Sequence, residues 1–312
     1  MLRWVALLLL TIGAAMCSVA AGAQAPATSN NTPPPSTPAP HDALEHLRQS
    51  TLAVGQVVDD GGKRRWVTMG SAVIVAIDQN HACIITAKHV VHDPAQGYLP
   101  TQMYVRVPQT SPSDATDFGV LVSLVDNGND LWRSLPDGSD IAAVPLPNLS
   151  KYSDVHGISE QDFGTDEDIY QGASVIVFGY PVVLGEDYLS TPIARGGIIA
   201  WTDPDGPTDR PFLIDANVFN GNSGGPVFHS RSGFSKEGGL VLGGGMALIG
   251  IVVADAAETV PVTAGSQPVT VLDSTSGRVA RAETRVLNIG GIGIVEPVSK
   301  IRKLLTMVFS SP

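Results

Sequence analysis

The sequence predicts an all-β fold, a barrel or sandwich of short strands followed by one C-terminal helix, and three observations carry that prediction. Short β-branched runs separated by turn residues fill most of the chain from Thr51 on: Thr51–Val58, Ser71–Ala76, Ala82–Thr86, Met103–Val107, Val120–Val125, Ser174–Phe178, Gly197–Trp201, Pro226–Phe228 and Leu248–Val253. Gly 33 and Pro 23 against 6% aromatic residues fit hairpins better than packed helices. Helical spacing emerges only at the end, where Val298, Ile301, Leu304 or Leu305 and Val308 share one face and Pro297 suits a first turn. No solenoid period stands out.

The 312 residues, 43% of them hydrophobic, suffice for one large β domain or two ordinary ones. A net charge of −11 sets the surface against phosphate backbones and anionic lipid, so nucleic acid is excluded as a partner. The one basic patch, Lys300-Ile301-Arg302-Lys303, reads as a turn of the terminal helix. Residues 1–23 carry a positive Arg3, an apolar stretch from Trp4 to Ile12 and a small-x-small site at Ala21-Gly22-Ala23. That is a secretory signal peptide, which places the mature chain in the periplasm or outside the cell with no stable membrane insertion. Ala14-Ala15-Met16 before Cys17 lacks the residues of a lipidation site. Once Cys17 is removed only Cys83 remains, in an apolar run, as an inert buried thiol with no partner for a disulfide.

Residues 24–41 are rich in Pro, Ser, Thr and Ala and cannot build a core, so they form a disordered linker. The folded domain is expected from Asp42 through the end, 42–312, opening with a short helix over Ala43–Ser50. Ser150–Gln171, Thr202–Arg210 and Ala256–Arg285 read as polar loops.

Chemistry concentrates on Ser223, inside Gly221-Asn222-Ser223-Gly224-Gly225-Pro226. A serine hydroxyl is a weak nucleophile that needs a base and donors for the oxyanion it generates, and flanking glycines let the Gly221 and Ser223 N–H groups aim at one point. Of seven histidines, only His89 follows a buried strand run, Ile84-Ile85-Thr86-Ala87-Lys88, that would present an imidazole from a small-residue turn. His92 reads as a solvated neighbour, and His41, His46, His81, His156 and His229 as linker, turn or surface residues. No third ligand stands at a metal-binding distance in sequence from His89 and His92, so neither metal nor cofactor is expected. The acid that would hold the imidazole is Asp140, in Ser139-Asp140-Ile141-Ala142-Ala143-Val144; Asp130 and Asp137 read as turn residues.

The chain order His89, Asp140, Ser223 resembles the chymotrypsin-type fold, and the words around it resemble the HtrA/Deg-type proteases. Matching segments are Gly70–Val75, Asp140–Ala142, Gly179-Tyr180-Pro181, Arg195–Ile199, Asp215-Ala216 with Gly221–Pro226, Gly250-Ile251 and Gly291–Ile294. The resemblance implies two six-stranded antiparallel β-barrels, a cleft between them holding His89, Asp140 and Ser223, and peptide-bond hydrolysis through an acyl-enzyme. It implies an oxyanion hole at Gly221, Asn222 and Ser223, and primary-pocket walls at Asn217, Val218, Val252, Val253 and Ala254, which point to small or aliphatic side chains unless Asp255 enters the pocket. Digestive trypsin-like enzymes carry aspartate where Asn222 stands, to pair with a new N-terminus; asparagine cannot, so no activation by N-terminal insertion is expected. The chain ends without the PDZ domain of HtrA proteins, so PDZ-linked regulation is not carried over.

The function expected is an exported serine endopeptidase acting on polypeptides. The alternatives are a protease-fold binding protein that has lost its chemistry, and an esterase-like hydrolase using the same triad.

Overall fold

The computed structural model describes residues 40–78, 81–107, 119–147, 157–182, 190–205, 209–256 and 291–309, with the backbone of short strands between 258 and 287. The expected signal peptide, Cys17, the linker up to residue 39 and His156 lie outside the described residues. The opening helix α1 spans Pro40–Gln49, so regular structure starts slightly before the expected boundary.

The first sheet comprises β1 Thr51–Asp60, β2 Lys63–Ala76, β3 His81–Thr86, β4 Gln102–Arg106, β5 Val120–Ser123, β6 Arg133–Ser134 and β7 Ala142–Pro147, in spatial order β5-β4-β1-β2-β3-β7-β6. It curls, and it carries seven strands where six were expected. The added rung is β6, pairing Arg133 with Ala143 and Ser134 with Ala142. Leu131-Trp132-Arg133-Ser134 has no β-branched residue, so nothing in its pattern signals a strand. β3 is central, pairing with β2 through Val73 and Ile85 and with β7 through Ile85 and Ala143. Its run from Ala82 to Thr86 is buried throughout, because both faces of the strand are covered.

The second half closes a six-stranded antiparallel barrel from β8 Ser174–Gly179, β9 Ile193–Trp201, β10 Phe212–Asp215, β11 Pro226–Ser230, β12 Met246–Asp255 and β13 Ile292–Pro297, in order β8-β9-β10-β13-β12-β11. Its interior packs Val175, Val177, Ile199, Phe212, Ile214, Val227, Ile249 and Val295. Two features lie between the halves. Residues 157–172, expected as part of a loop, form a strap: Ile158 bridges to Val75 on the first sheet, and Phe163 bridges to Leu248 on the second barrel. Helix α3, Val298–Phe309, buries Val298, Ile301, Leu304 and Leu305 in the same cluster as Val73 and Ile84 of the first sheet and Ile141 just ahead of β7. That cluster also holds Phe178, Phe228, Leu248 and Ile251 of the second barrel, so the helix packs where the two halves meet.

The stretch expected as a long loop from Ala256 to Arg285 contains three short antiparallel pairs, Glu258–Val260 with Arg285–Leu287, Thr263–Ala264 with Gln267–Pro268, and Thr270–Leu272 with Val279–Arg281. Its Thr and Val content suits strands, while the many turn residues keep each piece short.

His229 also departs from the expected surface setting. It is buried on β11, with Nδ1 3.1 Å from Asp168 in the strap. Arg231 clamps the same carboxylate with bonds of 2.8 and 2.7 Å, and the Thr165 N–H donates to it at 2.8 Å. Foremost the Arg231 hydrogen bond, and then those from Thr165 and His229, hold the Asp168 carboxyl well below its ordinary range. A carboxyl whose folded-state pKa is depressed contributes stability in full above its unfolded value and loses it as pH falls through the folded one. Asp168→Asn should therefore cost about 2 kcal/mol near neutral pH, discounted for the half-exposed Arg231. In urea melts the gap between variant and wild type should stay constant above about pH 5 and shrink below about pH 4; a gap that widens in acid would refute this account.

Candidate active site

β3 delivers Thr86 and Ala87 to a sharp turn, and a single helical turn, α2 Lys88–Val91, follows. Buried Val90 and Val91 anchor that turn in the core, which leaves His89 on the outer face. Asp140 stands two residues ahead of β7, the strand beside β3, so the sheet register places it next to His89. One carboxylate oxygen accepts the His89 N–H at 3.0 Å and the other lies 2.6 Å from His89 Nδ1. A carboxylate only accepts, so the proton sits on Nδ1 and leaves Nε2 as the basic nitrogen. Both side chains remain 37% exposed.

The Ser223 loop belongs to the second barrel but is bonded to the first. Ser71 on β2 donates its N–H to Ser223 O at 2.7 Å and its hydroxyl to Gly221 O at 2.6 Å, while accepting the Tyr180 N–H at 2.9 Å. Ser71 O in turn accepts the Thr86 hydroxyl at 2.7 Å. Gly224 has φ +84, and a Cβ there would collide with Ser71 O and Thr86 Oγ1 and lie 3.0 Å from Ala87 N. The segment after the serine therefore packs directly on the turn that ends in His89. Among the described residues the Ser223 hydroxyl makes no hydrogen bond, so its link to His89 is not formed in this structure. Bonds of this kind tighten when a substrate closes the site.

Three bonds shape the loop itself: Asn222 N to Phe219 O at 3.0 Å, Gly225 N to Asn222 O at 2.8 Å and Gly224 N to Val252 O at 2.6 Å. Gly221 takes φ +96, a conformation closed to other residues. Neither the Gly221 N–H nor the Ser223 N–H donates to any described acceptor, which leaves two backbone donors on either side of Asn222. The Asn222 side chain points inward; it is 1% exposed and its Nδ2 has no partner among the described residues.

Of the residues expected to line a primary pocket, Val218 and Val252 have side chains inside the second barrel's core, so only their backbone can face a substrate. Val253 is buried at the seam, Ala254 is half-buried, and Asn217 is exposed with φ +49. Two residues at the site had no role assigned from the sequence, where Arg195 stands only as the first residue of the matching segment Arg195–Ile199. Arg195 on β9 donates to Asn217 O at 2.9 Å and lies over the Phe219 ring at 4.7 Å, bracing the loop that leads to Gly221. Burial pulls its guanidinium pKa down. Glu296 on β13 accepts the Asp140 N–H at 3.3 Å. His92, expected to be solvated, stacks on Trp132 at 5.0 Å. Among the described residues no group of three His, Cys, Asp or Glu could hold a metal.

The profile of the trypsin-like peptidase domain matches residues 70–234, a span that includes His89, Asp140 and Ser223. No curated protein matches the chain significantly. With the curled first sheet, the closed six-stranded barrel and the C-terminal helix, the fold is chymotrypsin-like, and the chain belongs to the trypsin-like peptidase family.

Proposed function

We propose that this peptidase is a serine endopeptidase similar to the HtrA/Deg-type enzymes, with Ser223 as nucleophile, His89 as base and Asp140 as the acid that orients it. The observation that carries the reading is the Asp140 to His89 pair facing a loop whose Gly221 and Ser223 N–H groups are unused. His89 Nε2 takes the Ser223 proton as Oγ bonds to the substrate carbonyl carbon, and the C=O electron pair moves onto oxygen. The Gly221 and Ser223 N–H groups would bind that oxyanion. The imidazolium, stabilised by Asp140, then protonates the departing amine and leaves an acyl-enzyme. A water that gives its proton to His89 releases the acid product and restores the serine.

The signal-like residues 1–23 support export to the periplasm or the medium, with polypeptides as substrates. The small, largely apolar surroundings of Asn217, Val253 and Ala254 support a preference for small or aliphatic side chains before the scissile bond. Asn222 is uncharged and buried, which supports activity independent of a new N-terminal ammonium.

A fluorophosphonate probe should label the protein, and labelling should vanish in Ser223→Ala and His89→Ala. Asp140→Asn should slow hydrolysis by about four orders of magnitude, because the imidazole would adopt the wrong tautomer. Casein digestion separates this reading from an esterase, which would label but leave casein intact, and from a binding protein, which would do neither. In a peptide-library profile, small and aliphatic residues should dominate at the cleaved position; strong selection for Arg or Lys would refute the pocket assignment. Mass spectrometry should find full activity with no cut near residue 50.

A further inference from the structure

Glu296 and Lys300 are both buried, 4% and 8% exposed, in a protein whose charged side chains otherwise lie mostly at the surface. Long charged side chains reach such positions only when paired. Here they pair with each other across the junction of β13 and α3, Lys300 Nζ lying 3.0 Å from Glu296 Oε2. That oxygen takes no well-directed hydrogen bond, so the contact is chiefly electrostatic. The remaining donor and acceptor positions point to the segment that carries Asp140. Glu296 Oε1 accepts the Asp140 N–H at 3.3 Å, and Lys300 Nζ donates to Ser139 Oγ at 2.7 Å and lies 3.7 Å from Asp137. Ser139, itself buried, is tied back to Asp137 by its N–H and its hydroxyl.

We infer that Glu296 and Lys300 are positioning residues for Asp140: the junction of the last strand and the last helix holds the backbone of the triad acid, and the two opposed charges balance at that point. This rests on the triad reading given above. The Glu296 carboxylate bonds the backbone of the residue whose side chain holds His89. Either charge left alone would therefore act on the imidazolium of His89. The charged and titratable groups near His89 and Asp140 come from several elements: Lys88 at the start of α2 and His92 just after it, Asp137 in the turn before Asp140, Glu296 on β13 and Lys300 on α3. Of these, only Glu296 and Lys300 form a buried pair in contact with the Ser139-Asp140 segment.

The two single substitutions should consequently shift His89 in opposite directions. Glu296→Gln keeps an acceptor for the Asp140 N–H but removes the buried charge that faces Lys300, leaving only the half-exposed Asp137 3.7 Å from its Nζ. The imidazolium is then disfavoured, and the His89 ring should protonate at lower pH than in the wild type. Lys300→Met leaves the Glu296 carboxylate without its partner, and the His89 ring should protonate at higher pH. The double substitution restores neutrality and returns His89 close to its wild-type value. NMR titration of the His89 ring reads all three without requiring turnover. In parallel, the acid limb of kcat/KM should move to lower pH in Glu296→Gln and to higher pH in Lys300→Met.

If the pair merely supports the fold, the singles melt earlier while His89 stays put or moves the same way in both, and the inference fails. If Lys300→Met does not fold, the other two decide: His89 must shift in Glu296→Gln and return in the double substitution. Opposed ring shifts in a protein that hydrolyses nothing would sink the proposed function and leave this coupling standing. An active enzyme with unmoved ring titrations would do the reverse.

Discussion

Ser71 is the residue on which the two halves of the site depend. Its amide, hydroxyl and carbonyl are all committed, to Ser223 O, to Gly221 O and the Tyr180 N–H, and to the Thr86 hydroxyl. Through these bonds the glycine loop of the second barrel is joined to β2 and to the end of β3, the strand that leads to His89. Each bond is worth only about 1 kcal/mol net, but breaking one leaves a buried polar group unpaired, which costs more than the bond itself contributes. The arrangement also explains why Gly224 tolerates no side chain, since the loop must lie flat against Ser71 and Thr86. A serine held this closely to the histidine strand has little freedom to drift from it.

The same pattern recurs at the other seams. Asp168, His229 and Arg231 fasten the inter-barrel strap to β11, and Ser139, Glu296 and Lys300 fasten the Asp140 segment to the start of α3. The interiors of the sheets, by contrast, are almost wholly apolar. Hydrophobic burial is non-directional and stabilises each half without fixing how one sits on the other. Directional bonds between paired polar groups supply that alignment. The basic patch at 300–303 is likewise paired: Lys300 with buried Glu296 and, at the surface, Arg302 with Glu160 and Lys303 with Asp209.

Much of the fold was legible because its signals are local. The runs Ser71–Ala76 and Ala82–Thr86 announce strands by their β-branched residues, and the spacing of Val298, Ile301, Leu304 and Leu305 announces α3 with its buried face. Less visible were elements whose order comes from partners far along the chain. β6 exists because β7 offers a free edge, and the strap at 157–172 is ordered by Val75 and Leu248. His229 was misread as a surface residue because its neighbours in sequence say nothing of Asp168, 61 positions away.

For the site, the sequence by itself determined the chemistry on offer: a serine framed by glycines, a histidine after a buried strand and an aspartate ahead of another. Motifs of that kind are short, and their residue types are dictated by local backbone conformation and by what the chemistry demands. Only the tertiary structure decided which partners those groups have. It put the Asp140 carboxylate on His89 and Glu296 behind Asp140, and it left the Gly221 and Ser223 amides unused. It also turned Val218 and Val252 into the core. The physical reason is that hydrogen bonds and ion pairs act over about 3 Å in space, whereas residues 140 and 296 are brought that close only once the first sheet has curled and the second barrel has closed.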